Sequence, residues 1–143
     1  MRMTLIVLTP LLLAGCIKQS ASYYVSDARD HAITVRAEQE YFWDQNITLT
    51  VVASRAPDCV RAFKLNKVSA PEVVVELFTT GDNVFTVRSG DELKQFEMLG
   101  CVVLATPAPN AIGAPVGVFR LGDKEKMDYA PAETAPVPAA PAA

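Results

Sequence analysis

Three thiols and one imidazole, Cys16, Cys59, Cys101 and His31, are the strongest chemical groups in this 143-residue chain. Nucleophilic catalysis needs a nucleophile held beside a base, and His31 is the only histidine. It sits in Asp30-His31-Ala32, where Asp30 or Asp27 could orient it; the plainer reading, a solvated histidine just before a strand, is adopted. None of the serines (Ser20, Ser22, Ser26, Ser54, Ser69, Ser89) lies in a GxSxG turn. Glu38 and Glu40, two apart, share one face of a strand, as a solvent-facing acidic rim does. Asp91 and Glu92 are another carboxylate pair, and a glycosidase dyad would need its partners about 5–10 Å apart across a cleft. There is no glycine-rich phosphate loop, no HExxH and no CxxC. The chain therefore reads as a non-enzyme with no metal site and no cofactor.

The start of the chain carries a different kind of chemistry. Arg2 supplies a positive charge, and Thr4 to Leu13 is an apolar run interrupted only by Thr9-Pro10. That is the layout of a secretory signal, too short for a stop-transfer helix, which needs roughly 20 apolar residues. The run ends in Leu13-Ala14-Gly15-Cys16, which resembles the lipobox of bacterial lipoprotein precursors at all four positions. The resemblance implies a signal peptide over 1–15, cleavage by signal peptidase II before Cys16, and a diacylglyceryl group on the Cys16 thiol. Several acyl chains on one residue satisfy the rule that stable anchoring takes more than one. Ile17 stands where Asp would favour inner-membrane retention in enterobacteria, so the resemblance leans toward an outer-membrane lipoprotein facing the periplasm.

Lipidation of Cys16 leaves Cys59 and Cys101. In an oxidising periplasm a lone pair in a small domain reads most simply as one disulfide. Closing a loop of about 42 residues would stabilise the fold by roughly 4 kcal/mol. Two separately buried thiols, or half of a metal site, are the competing readings.

The body of the chain must position these groups, and its pattern is β. Half of the residues are apolar and a fifth charged, which fits one small domain. Ala32–Glu38 alternates apolar and polar, and so does Asn46–Ala53, with Ile47, Leu49, Val51 and Ala53 on one side. Residues 54–58 read as a turn and Val60–Val68 as a less regular strand. Glu72–Phe78 is a β-branched run of central-strand type. Thr80-Gly81-Asp82-Asn83 predicts a hairpin to Val84–Arg88. Glu92–Leu99 fits a short helix or a strand; the strand is preferred. Thr106–Pro115 reads as a loop and Val116–Leu121 as the last strand. The expected fold is all-β: a single-domain sandwich or partly open barrel of about seven or eight strands. Residues 16–22 read as a lipidated tether, 23–122 as the β domain, and 123–143 as a disordered tail rich in Ala and Pro, short of apolar bulk to bury.

Two clusters qualify as surfaces. Tyr41-Phe42-Trp43 puts three aromatics in a row; read as strand, at least one must face out. A core corner with one half-exposed ring is the preferred reading; the alternative is a hot spot for a protein partner, with Tyr41 and Trp43 as anchors. Arg55, Arg61, Lys64 and Lys67 form a basic stretch in a chain of net charge −3; it could meet anionic headgroups, but a solvated strand face with Arg61 and Lys67 on one side is the simpler reading and is preferred. Nothing in the overall charge invites nucleic acid. The chain thus reads as a lipid-anchored envelope lipoprotein whose β domain binds another envelope protein as an accessory. The alternative is a carrier of a small ligand or lipid, which requires an interior cavity.

Overall fold

A computed structural model describes residues 16–25 and 29–133; the leader 1–15, Asp27 and the residues from 134 onward lie outside them. The described chain forms β1 (Lys18–Tyr24), β2 (His31–Gln39), β3 (Asn46–Arg55), β4 (Cys59–Lys64), β5 (Val68–Ser69), β6 (Val74–Gly81), β7 (Val84–Ser89), β8 (Glu92–Glu97), β9 (Val102–Val103), β10 (Ala114–Leu121) and β11 (Met127–Pro131), with one 3-10 turn at Ala70–Glu72. Two antiparallel sheets result. One runs β1-β2-β3-β4, with β5 paired to β3; the other runs β11-β10-β6-β7-β8-β9.

The alternation in β2 and β3 is what makes the sandwich. Ile33, Val35 and Ala37 face Ala53, Val51 and Leu49 across the β2–β3 ladder. All six are fully buried, together with Val75, Leu77, Val87, Phe96 and Phe119 from the second sheet. Residues of both inner faces thus form one continuous core. On the β1/β11 margin Tyr23 and Tyr129 bring their rings to 5.4 Å. On the opposite margin Cys59, which opens β4, is bonded to Cys101, just before β9. Both β4 and β9 are edge strands, so the disulfide staples the open side of the sandwich.

Turn chemistry agrees with the sequence at the β6–β7 hairpin. Asp82 and Asn83 both take positive φ (52° and 61°), the tight-turn backbone that matches strand twist. Glu92–Glu97 is a strand, not a helix.

Three segments depart from the sequence reading by more than a residue or two at a strand end. Residues 18–22, expected as a tether, belong to β1 and pair with β2 along their length. Lys18, Gln19 and Ser20 face solvent there while Ala21 and Tyr23 pack on the core, and an edge strand is held by its ladder more than by its own hydrophobicity. The segment 123–143, expected as a tail, begins as the hairpin turn into β11, where Met127 is buried and Tyr129 packs on the core; the Ala/Pro composition that starts at residue 130 masks these two. Val60–Val68 is not one strand but β4 and the two-residue β5. With these pieces added, the described residues form eleven strands where about seven or eight were expected.

Candidate functional site

Because β3 is ten residues long, its two ends lie about 30 Å apart. The candidate residues divide between them.

At the Asn46 end, the chain enters the sandwich through Cys16 and Ile17. Cys16 is exposed and unpaired as a disulfide partner, whereas Ile17 is buried in the core. The Gln39 backbone N–H donates to the Ile17 carbonyl at 2.8 Å, and the Ile17 N–H donates to Gln39 Oε1 at 3.3 Å. The Gln39 side-chain nitrogen donates in turn to the carbonyls of Phe42 and Asp44. One amide thereby fixes both the entry of the chain and the loop that joins β2 to β3.

That loop carries the aromatic triplet, in a turn and not in a strand. Its backbone is tightened by Asp44 N–H donating to the Tyr41 carbonyl at 3.0 Å and Asn46 N–H donating to Asp44 Oδ1 at 2.9 Å. Freed from the two-face rule of a strand, all three rings face solvent, with relative exposures of 50%, 64% and 68% for Tyr41, Phe42 and Trp43. Trp43 stacks on Tyr41 (centroids 5.0 Å apart, planes 12° off parallel) and meets Phe42 edge-on at 4.7 Å. The core-corner reading of this triplet is therefore overturned. Beside it Lys67 Nζ donates to Glu40 Oε2 at 2.9 Å, and this hydrogen bond, with the charge of Glu40, holds the ammonium pKa above its ordinary value. An open groove of about 600 Å³ runs from Cys16 past Lys18, Glu38 and Glu40 to Lys64 and Lys67.

At the Arg55 end, positive side chains hold a turn of carbonyls. Arg55 Nη1 donates to the Leu99 carbonyl at 3.0 Å, and Arg61 Nε donates to the Cys101 carbonyl at 3.5 Å. The Glu97 carboxylate accepts from the N–H groups of Leu99 and Gly100. Beyond the disulfide, Leu99 (53% exposed), Val102, Val103 and Leu104 present apolar side chains on and beside the short edge strand β9. Their sequence suggests core; the structure puts them outside because β9 pairs on one side only.

The four surface residues named from sequence are thus not one patch. Tyr41, Trp43 and Lys67 share an end. Arg61 pairs with buried Ala53 in the β3–β4 ladder and belongs to the disulfide end, so it does not share a side with Lys67.

The catalytic candidates disperse as well. His31 opens β2 opposite Arg55. Glu92 Oε2 accepts the Asn66 N–H at 2.6 Å, linking the two sheets, while Glu40 is engaged with Lys67. Among the described residues no three His, Cys, Asp or Glu side chains converge as metal ligands would, and no helix is long and apolar enough to cross a membrane. Gln39 and the Leu99–Leu104 surface carry no signal in the sequence: a strand-end glutamine resembles any polar residue, and an exposed apolar run resembles a buried one. Comparison with family models, with curated proteins and with solved structures finds no match.

Proposed function

We propose that this chain is a bacterial envelope lipoprotein, anchored by acylation of Cys16 and facing the periplasm, on the outer membrane in preference to the inner. Its β domain acts without catalysis as an interaction or assembly accessory for another envelope protein. The observation that carries this reading is the apolar edge at Leu99–Leu104, at the far end of the sandwich from Cys16. Edge strands with free backbone groups and exposed apolar side chains accept a strand or a hydrophobic segment from a partner. An anchor at one end and an adhesive edge about 30 Å away is the layout expected of a protein that reaches from a bilayer to a neighbour. The filled interior, with Phe96 and Phe119 fully buried between the sheets, supports this reading over a carrier of a small ligand.

Two measurements test it. Radiolabelled palmitate should enter the wild-type protein and not a Cys16→Ala variant. A photoreactive residue at position 103, on β9, should crosslink one defined protein in intact envelopes, and the crosslink should vanish in Leu99→Lys. A label at Thr34, on the outer face of the first sheet, should not give that product. Failure of position 103 to crosslink any protein would remove the accessory role.

A further inference from the structure

We infer that the Tyr41–Phe42–Trp43 loop docks on the lipid surface into which Cys16 is anchored, so that the sandwich stands upright on its β2–β3 end. The inference rests on the acylation reading proposed above and adds an orientation and a second membrane contact to it.

No tether separates Cys16 from the folded domain. Cys16 is followed immediately by Ile17, which is buried in the core and hydrogen-bonded to Gln39 through both its N–H and its carbonyl. Successive Cα atoms are about 3.8 Å apart, so a lipid on Cys16 leaves no slack between bilayer and domain. The protein surface around Cys16 then lies at headgroup depth by geometry alone.

Gln39, which grips Ile17, also donates to the carbonyls of Phe42 and Asp44, so the aromatic loop is fastened to the chain entry and cannot swing away from it. Its three rings form one slab, stacked and edge-on, and all are at least half exposed. An exposed apolar cluster of this kind marks a contact surface. Tyrosine and tryptophan, each with an apolar body and a polar tip, are enriched at the headgroup level of bilayers. The groove beside Cys16 mixes Lys18, Lys64 and Lys67 with Glu38 and Glu40, a pairing of charges that suits zwitterionic headgroups better than a strongly anionic surface. A protein partner for the same rings would have to fit between domain and bilayer, where the chain leaves no gap.

Trp43 is the only tryptophan, which supplies the probe. Full-length protein carrying its lipid, as shown by mass spectrometry of the Cys16 peptide, is reconstituted into vesicles of phosphatidylethanolamine and phosphatidylglycerol, with and without bromine on the acyl chains. Trp43 emission is expected to fall at least about twofold in the brominated vesicles, as for an indole at the interface. A reporter at the far end, made as Trp43→Phe with Tyr24→Trp, is expected to lose none. Acylated protein whose Trp43 emission is the same in both vesicles would overturn the docking while leaving the anchor intact. Equal quenching of both reporters would overturn the upright orientation. A photoreactive residue at position 42 that crosslinks a protein in envelopes, with Trp43 unquenched in vesicles, would assign the loop to that protein and also overturn the inference. Absence of lipid on Cys16 would remove the anchor and this inference with it. A Tyr41→Ser/Phe42→Ser/Trp43→Ser variant, altered only at exposed positions, is expected to stay acylated yet expose a fluorophore at Lys67 to aqueous quencher.

Discussion

Ile17 and Gln39 grip each other twice, once backbone to backbone at 2.8 Å and once through the Gln39 side-chain oxygen at 3.3 Å. The other half of the same amide holds the Phe42 and Asp44 carbonyls. A glutamine is suited to this place because it offers one acceptor and two donors on a single planar group. The chain entry, the end of β2 and the aromatic loop consequently move as one piece.

Substitutions at Gln39 separate its two roles. Gln39→Ala loses both the acceptor and the donors and should lower stability by about 1–3 kcal/mol. Gln39→Glu keeps an acceptor for Ile17 N–H but aims a carboxylate at two carbonyl oxygens, so it should be at least as damaging. Urea unfolding followed at Trp43 reads both, and a Glu variant as stable as wild type would contradict the donor role.

The disulfide between Cys59 and Cys101 closes 42 residues and joins two edge strands that no ladder connects. Replacing both cysteines by serine should lower stability by about 4 kcal/mol on the chain-entropy estimate. The Arg55 and Arg61 contacts to the Leu99 and Cys101 carbonyls use no sulfur, so the folded end should persist. The check is urea unfolding of wild type with and without reductant against the double variant; reductant that leaves wild type unchanged would show that the bond is absent or carries no stability.

Which parts of this architecture were legible in the sequence depends on where the information resides. Ile47, Leu49, Val51 and Ala53 alternate because one face of β3 is buried, and local period reveals that directly. The Gly81-Asp82-Asn83 turn is equally local, since positive φ selects its residues. The Cys59–Cys101 pairing was readable by arithmetic. In contrast, β1 owes its order to the β2 ladder, and β11 owes its order to Met127 and Tyr129 closing on a core built elsewhere; neither partner is visible in the segment itself. The aromatic triplet was visible as a cluster, yet its exposure depends on Gln39 turning the chain, which composition does not disclose. The split between Arg61 and Lys67 follows from β4 ending at Lys64, a boundary that the irregular Val60–Val68 run hides.

Tyr129 links the core to pH. Its hydroxyl donates to the Val116 carbonyl at 3.1 Å, and burial pushes its pKa above the ordinary value of 10.0, with the neighbouring Tyr23 adding to the shift. Below about pH 10 the hydroxyl is protonated in both folded and unfolded chains, and its full contribution is present. As pH rises past the unfolded value, the unfolded chain releases its proton first, so stability falls with increasing pH. Tyr129→Phe should cost about 1 kcal/mol at neutral pH through the lost hydrogen bond and should flatten the alkaline limb. Urea midpoints measured from pH 7 to 11 on both proteins check this; parallel limbs would contradict it.

The crossing that carries the chain from β9 back to β10 ends at a glycine pressed against β6. Gly113 has φ +86°, and a methyl group there would overlap the backbone carbonyl of Thr79 in β6. Gly81 has nearly the same φ, +88°, but open space around it. The two glycines therefore separate conformational strain from steric conflict. Gly81→Ala should cost only the strain of a left-handed backbone, about 1–2 kcal/mol. Gly113→Ala carries that strain and must also push two backbones apart at the point where β10 joins β6, so its loss should exceed about 3 kcal/mol, a size seen when packing itself is broken. Urea unfolding of the two variants side by side decides the matter, and equal losses would mean that the return loop is free to move away from β6.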